Sequence, residues 1–578
     1  DTHVISRDED YERRLDESLE DLIKRTIDAG APTEFVHGLR NITTEYRSAF
    51  ALDFTIEDSG STFKVPPWTD PVVPLQEEPA KPRPRRYSQA MKVEIDRITS
   101  QLEDAGLITT FDGVLPPGIS CVSYAPALLV RKKSQDGTPK FRLVWDLRAT
   151  NKLIQSVVEP TKTIDDVIET IMEKRPTLFY SADVMSAYWQ VPLEVSTSYV
   201  FLLITPSKVF RPKAVLQGSK NGSTAFISRF GMAFADLLQR GIIAHYVDDV
   251  CGPAADAETL LANLREFIGR CAETNLKLNP EKVTAYASTL TFCGKVLCGN
   301  NGTIQVDPAR LSHLRNFPKP GSVADLVSLL GAIQFISNHI PDYPSIVAPL
   351  HALQVELSKK TPRKTKAALS RISLHEKWQS VHDEAYARLM HALEHAFSLS
   401  TIKQGDTAVL VTDASLTAWA GALFACPLED IDKPLENRRL TPVSFTGGRW
   451  VGSQRNFDIA RLESTALVLA CKRFKAELHR STTTLALCDH RNLVNVFSRC
   501  SSPVANQTEA NALVRAALFL SGIPNLVLEH LQGERNVLCD YFSRPSDSIT
   551  SRNRATRSIT TAEISPAVET TLSLDPFD

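Results

Sequence analysis

Two adjacent aspartates interrupt an otherwise apolar run, IIAHYVDDVCG, and this pairing limits what the surrounding chain can become. Like charges about 4 Å apart repel by ~4 kcal/mol at an effective dielectric of 20, so adjacent acids are costly inside a strand-like segment. Taken alone, Asp248 and Asp249 read first as a surface hairpin turn. The alternative is a divalent cation that relieves the repulsion, and hard carboxylate oxygens suit Mg²⁺. A second strand-like run, LFYSADVMSAYWQVPL, carries Asp183 after a short apolar-aromatic stretch and offers a third acid. Two cations ~3.5–4 Å apart on such acids would activate an attacking 3′-hydroxyl and neutralise a leaving pyrophosphate.

The chain is long enough for several domains: its 578 residues are about three to four times a typical single domain. With 43% hydrophobic and 23% charged residues it can bury sizeable cores. Lys+Arg 65 against Asp+Glu 67 gives a formal charge of −2, which excludes a histone-like polycation. Nucleic-acid partners stay open, because a large enzyme can confine its basic charge to one channel. The ten cysteines are scattered without a C-x-x-C pair, so reduced, intracellular thiols are expected. No apolar run reaches membrane-spanning length, and the acidic start DTHVISRDEDYERRLDESLEDL is unlike a signal or transit peptide. A soluble chain with no membrane partner, not secreted by that route, is expected.

Residues 1–85 read as an acidic helical segment, with Leu15, Leu19, Leu22 and Ile23 at helical spacing, followed by a Pro-rich linker that ends in KPRPRRY. A helix is predicted from about Ser88, with Met91, Ile95, Ile98, Leu102 and Ala105 on one face and Gly106 at the stop. From 120 to 320, short β-rich runs alternate with helical stretches in an α+β pattern. Residues 322–400 read as mostly helical, and a second α/β unit runs from AVLVTDAS to near Arg544. The Ser/Thr-rich, apolar-poor tail beyond it is expected to be disordered.

Several of these segments, in this order, resemble the reverse transcriptase–RNase H region of long-terminal-repeat retrotransposons, most closely the Gypsy (Metaviridae) group. The likeness covers roughly residues 80–545 and rests on FRLVWDLRATNKLI, SADVMSAYWQ, VLQGSKNGSTAF, YVDDV, NLKLNPEKV, FCGKVL and SLLGAIQFISNHIPDYPSIVAPL. It implies a right-hand polymerase, with fingers and palm at 86–320, a helical thumb and connection at 321–404, an RNase H-like domain at 405–545 and a tail at 546–578. By the same resemblance Asp183, Asp248 and Asp249 are polymerase metal ligands. Lys132 and Arg142 would hold the triphosphate, with Gln217 on the sugar side and Tyr246 beside the nucleotide. Tyr188 matches the aromatic that blocks a 2′-hydroxyl, although ordinary core packing would also explain it.

A second acid set comprises Asp413 (VLVTDAS), Glu463 (ARLESTAL), Asp489 (LALCDHRNL) and Asp540 (NVLCDYFSR). Asp413 and Asp489 each follow an apolar β-like run, and Glu463 lies on a helical stretch. Four acids on different elements can converge on two metals for in-line phosphodiester hydrolysis. The resemblance identifies them as the RNase H carboxylates; His530 is assigned no role. The implied protein is an RNA-directed DNA polymerase and ribonuclease H from a retrotransposon polyprotein, in a cytoplasmic element particle or the nucleus. It would use two Mg²⁺ per site, with Mn²⁺ as an alternative, and act on an RNA template, a DNA primer, dNTPs and the RNA–DNA hybrid. A catalytically dead nucleic-acid scaffold is the rival from another class, and the seven carboxylates argue against it. Tyr188 and the second unit disfavour an RNA-templated RNA polymerase. The sequence assigns neither an oligomeric state nor a role to residues 1–80.

Other signals carry less. Asp58-Ser59-Gly60 spells an aspartic-protease triplet but follows TIE rather than apolar strand residues. HALEH (391–395) fits an inverted zinc-protease pattern, yet Ala392, Leu393, Ala396 and Phe397 read as a packed helix. GSKNGST lacks the ending of a phosphate-binding P-loop. The basic run 359–371 suits hybrid phosphates and a solvated linker equally. With no His/His–Cys/Cys motif, an integrase is not expected within this chain.

Overall fold

A computed structural model describes residues 4–5 and most of 8–531, excepting 56–61, 73–84, 120–121, 133–139, 160–161, 342, 360, 362–364, 395, 404, 417, 435–436, 451–453, 455, 489–490, 500–506 and 524. The chain forms two compact units, Asp1–Cys293 and Gly294–Asp578. The Asp58–Gly60 triplet and the C-terminal tail lie outside the described residues, as do parts of KPRPRRY and of the basic run at 359–371.

The first unit begins with two helices, α1 (Glu9–Asp28) and α2 (Thr33–Glu45). Asp8 caps α1 by accepting from the Tyr11 amide at 2.9 Å, and the acids of its first turn complement the helix dipole. Leu15, Leu19, Leu22 and Ile23 are buried on one face, as their spacing predicts. Helix α3 (Gln89–Asp104) starts at the Ser88 cap, buries Ile95, Ile98 and Leu102, and ends before Gly106, whose φ of +69° suits glycine.

Among the described residues, a short parallel pair, Val4–Ile5 with Phe54–Thr55, and two larger sheets complete the strands described for this unit. The outer sheet has five strands in the order Ile108–Thr110, Val209–Pro212, Leu202–Ile204, Tyr124–Lys132, Lys140–Trp145. The central sheet has four: Thr284–Ala287, Leu178–Asp183, Asp249–Ala254 and Ala244–Tyr246. Helix Gly222–Ala233 lines up Phe226 and Phe230, with Phe234 just beyond, all fully buried; Phe230 stacks on Phe234 at 4.3 Å and meets the His245 ring at 4.5 Å. Burying one such ring contributes roughly 1.5–3 kcal/mol, so this helix anchors the strand that leads into the two aspartates. Close packing also selects glycine on the neighbouring strand: a Cβ at Gly252 would lie 2.0 Å from the Tyr180 ring.

The second unit has a helical part and a sheet part. Helices Val323–Gln334, Tyr343–Ser358 and Ser380–Glu394 pack through residues such as Leu329, Ile333, Leu350, Leu353, Leu389 and Leu393. Strands Lys295–Cys298, Thr303–Val306 and Leu399–Ser400 pair antiparallel. A larger sheet, again among the described residues, runs Thr441–Arg449, Ala418–Pro427, Asp406–Ala414, Thr484–Cys488, Leu526–His530, the last two strands being parallel additions. Its central strand is buried on both faces. Ala408 and Leu410 join one core, while Val409 and Val411 join the other, which is why the sequence there is uninterrupted AVLV.

One sequence expectation needs correcting here. The helix over HALEH stops at Glu394, so Ala396 and Phe397 are not part of it. The Phe397 amide donates to the His339 carbonyl at 2.9 Å and its ring packs on Phe445 at 5.2 Å, contacts that a continued helix would forfeit.

Candidate catalytic sites

The central sheet brings the first three acids together. Asp249 and Asp183 are directly opposite one another in the antiparallel register of their strands. Tyr246 and Asp249 close a two-residue hairpin turn, Val247-Asp248, so the third acid projects from the turn itself. Val247 takes φ +55°, a costly conformation for a β-branched residue. The turn is held by the Val184 amide, which donates to the Asp248 carbonyl at 3.1 Å. The turn reading of the pair therefore holds, and the same turn sets Asp248 next to the facing Asp183 and Asp249.

Like charges directly opposite on a sheet destabilise it. Burial, with added repulsion from Asp183, raises the carboxyl pKa of Asp248. Burial, then the charges of Asp248 and Asp183, does the same to Asp249. Lys282 Nζ offsets part of the charge through an ion pair with Asp183 Oδ2 at 2.8 Å. The Cys293 thiol donates to Asp249 Oδ2 at 3.7 Å; burial and that carboxylate push the thiol pKa up to about 12, so it stays protonated. Asp183, Asp249, Lys282, Thr284 and Cys293 line a cleft of about 410 Å³. Asp248 and Asp249, whose carboxyl pKa burial raises first and neighbouring acids second, offer only hard oxygen donors, the chemistry divalent cations take, although among the described residues no three acids stand close enough to form a ready metal cage.

The residues expected to meet a nucleotide also belong to the first unit. Tyr188 is half-buried; its hydroxyl lies 3.0 Å from Ser223 Oγ, and its ring flanks Gly222. Ser186, at φ +45°, turns the chain from the Asp183 strand into the short helix Ala187–Gln190 that carries it. Gln217 is exposed and precedes Gly218 at φ +89°, whose carbonyl accepts from Asn151 Nδ2 at 3.0 Å. Tyr246 is half-buried beside the turn. Lys132 and Arg142 lie on adjacent strands of the outer sheet, in register with Lys140 and Val130, but their side chains are outside the described residues.

Sequence reasoning missed several supports of this site. Gln190, fully buried, accepts from Thr62 Oγ1 at 3.0 Å and the Lys277 amide at 2.7 Å, and donates to the carbonyls of Met185 and Lys277. Its motif, SADVMSAYWQ, was visible; its partners, 87 and 128 residues distant, were not. Asp146 takes Arg148 and Arg85, which lower its carboxyl pKa to about 2. Arg85 belongs to the basic connector, so at least that residue binds within its own chain.

In the second unit, Asp413 and Glu463 are both 6% exposed. Glu463, on helix Ile459–Arg473, accepts from the Ala414 amide at 3.2 Å, which holds its carboxylate at the end of the Asp413 strand. Behind them Ala414, Trp450, Leu462 and Ala466 form a small core, and Trp450 Nε1 donates to the Ser415 carbonyl at 2.7 Å. Asp489 and Asp540 lie outside the described residues.

Residues 130–297 match the family model described as reverse transcriptase (RNA-dependent DNA polymerase), and residues 403–522 that of the RNase H-like domain found in reverse transcriptase. The chain is similar to the Retrovirus-related Pol polyprotein from transposon 412 of Drosophila melanogaster, at 24% identity over 518 residues, 89% of this chain and 37% of that protein. It is 22% identical over 464 residues to the Enzymatic polyprotein of Carnation etched ring virus, which covers 80% of this chain and 64% of the relative. It thus spans less than two thirds of either relative. Among solved structures, the foamy viral protease-reverse transcriptase dRH in complex with double-stranded DNA superposes with TM-score 0.70 at 16% identity, covering 89% of this chain and 81% of that one. The foamy viral protease-reverse transcriptase in complex with RNA/DNA hybrid gives 0.68 at 16%, over 92% and 64%. The fold class is therefore the one expected, an α+β right-hand polymerase followed by an α/β RNase H-like domain.

Proposed function

We propose that this chain, which carries a reverse transcriptase domain followed by its RNase H-like domain, copies RNA and DNA templates into DNA and cleaves the RNA strand of RNA–DNA hybrids. The observation that carries the reading is the register of the central sheet, which sets Asp183 opposite Asp249 with Asp248 in the adjoining turn. These acids would hold two Mg²⁺ ions, which when bound supply charge to activate the primer's 3′-hydroxyl and to neutralise the leaving pyrophosphate. The strained Val247 turn fixes the direction of the acids before substrate arrives, which lowers the reorganisation that reaction requires. Lys132 and Arg142 bring positive charge toward the triphosphate, Gln217 and Tyr246 flank the nucleotide, and Tyr188 forms the wall that refuses a 2′-hydroxyl. In the second unit Asp413 and Glu463, with Asp489 and Asp540, would hold the metals for hydrolysis. Two of the most similar solved structures hold double-stranded DNA and an RNA/DNA hybrid, which supports the same partners for this chain. Similarity to a transposon's Pol polyprotein supports an origin in a transposon polyprotein, and a Gypsy-type element acting inside the cell is the finer form of the same proposal. Among the described residues no helix is long and apolar enough to cross a membrane.

A primer-extension assay on homopolymer RNA with dNTPs and Mg²⁺ tests the reading. Wild-type protein should extend the primer, and Asp248→Asn, which removes one charged ligand, should lower the rate by at least about 10²-fold, the scale of losing one group that stabilises developing charge. Near wild-type extension by the variant would show that Asp248 is a turn residue only. Binding of primer–template by a wild-type protein inert in both reactions would favour a scaffold.

A further inference from the structure

The role of residues 1–80 is not written in any motif, yet Arg25 and the segment around Ala49 tie that region to the turn that carries Lys282. Arg25 on α1 donates from Nη1 to the Val283 carbonyl at 2.8 Å and from Nη2 to the Pro280 carbonyl at 2.9 Å, while its Nε is held by Asp21 at 2.8 Å. The guanidinium therefore spans both ends of the single turn Pro280–Lys282. The chain just before that turn is pinned from the same side: the Leu278 amide donates to the Ala49 carbonyl at 2.8 Å, and the Ala51 amide to the Leu278 carbonyl at 3.0 Å. On its opposite side the segment meets the polymerase acids. The Asn279 amide donates to the Asp183 carbonyl at 3.2 Å, and Lys282 Nζ reaches Asp183 Oδ2 at 2.8 Å.

We propose that the N-terminal helices are a working part of the polymerase site, with Arg25 as the positioning residue that sets Lys282 against Asp183. A planar fork with fixed donors can hold two carbonyls at once, which a single ammonium cannot, so Arg25 fixes the orientation of the turn as well as its position. Lys282 is 59% exposed and lies on a long flexible stem, so without a fixed turn its charge would spread over many positions. The inference rests on the polymerase reading and deepens it.

The test is a double-mutant cycle on single-nucleotide incorporation by the full chain, using wild type, Arg25→Ala, Lys282→Ala and the pair. Each single change should slow incorporation by about 10-fold, within the range that small misplacements cost. If Arg25 acts through Lys282, the double variant should be no slower than Lys282→Ala alone. Arg25→Gln, which keeps one donor, should fall between wild type and Arg25→Ala, and provides a milder variant should alanine prevent folding. RNase H cleavage of a preformed hybrid should stay at the wild-type rate throughout. Independent, multiplying losses, or equal losses in both reactions, would make Arg25 a stability residue and overturn the inference. A wild-type protein without primer extension would instead overturn the polymerase reading itself.

Discussion

Asp249 illustrates at the residue scale how the site conflicts with the stability of its sheet. In the folded chain Asp248 and Asp249 bind protons more tightly than in the unfolded chain, because burial and neighbouring acids penalise their charged forms. The unfolded state therefore carries fewer protons just above the ordinary carboxylate range, and the contribution of this pair to stability falls as pH rises through that window. Asp146 has the opposite sign: its pKa near 2 gives stability that is present above the ordinary carboxylate range and is lost as pH falls toward 2. Asp249→Asn removes one of three repelling charges, so in a metal chelator at pH 7 its melting temperature should exceed wild type by about 1.5–2 °C, the shift that about 1 kcal/mol gives in a unit of this size. The gain should shrink at pH 4, where the wild-type acid takes up its own proton. A variant that melts below wild type at pH 7 would mean that Asp249 is held by partners rather than strained by neighbours.

At the scale of elements, what was legible followed from local chemistry. Helix α3 could be read from one cap, one apolar face and one stop glycine, and the strand Asp406–Ala414 from its unbroken apolar run. The acids were legible because they interrupt such runs. Three features were not. The Val247 turn contradicts the preference of a β-branched residue, and only contacts from distant elements impose it. The end of the helix at Glu394 is decided by partners, His339 and Phe445, that no local pattern reveals. The Gln190 contacts join the N-terminal segment, the helix after Asp183 and the chain before Lys282. Replacing Gln190 by Leu keeps much of the volume but takes the side-chain partner from the buried Lys277 amide and from the Met185 carbonyl, at roughly 1–3 kcal/mol per group. The urea midpoint should fall by an amount equivalent to about 2–6 kcal/mol with the slope unchanged. An unchanged midpoint would show that water or a shifted backbone replaces these bonds.

For the whole molecule, the two acid sets belong to separate compact units, Asp183, Asp248 and Asp249 to the first and Asp413 and Glu463 to the second. Ligands that share no contacts act independently, so loss of one set should leave the chemistry of the other at its own rate. Asp413→Asn is the sharper probe, because Asp413 ends a strand buried on both faces and its replacement changes charge with little change in shape. On a preformed RNA–DNA hybrid with Mg²⁺, wild-type protein should shorten the RNA strand and leave the DNA whole, and the variant should leave both intact. Its affinity for the hybrid should be at least that of wild type, since one fewer negative charge faces the phosphates. With an RNA template and primer it should still make full-length DNA, now locked in hybrid form and resistant to single-strand-specific nuclease. Survival of RNA cleavage in Asp413→Asn would place the hydrolytic metals on other acids. Loss of DNA synthesis together with cleavage would show that the two units work as one machine rather than as two joined enzymes.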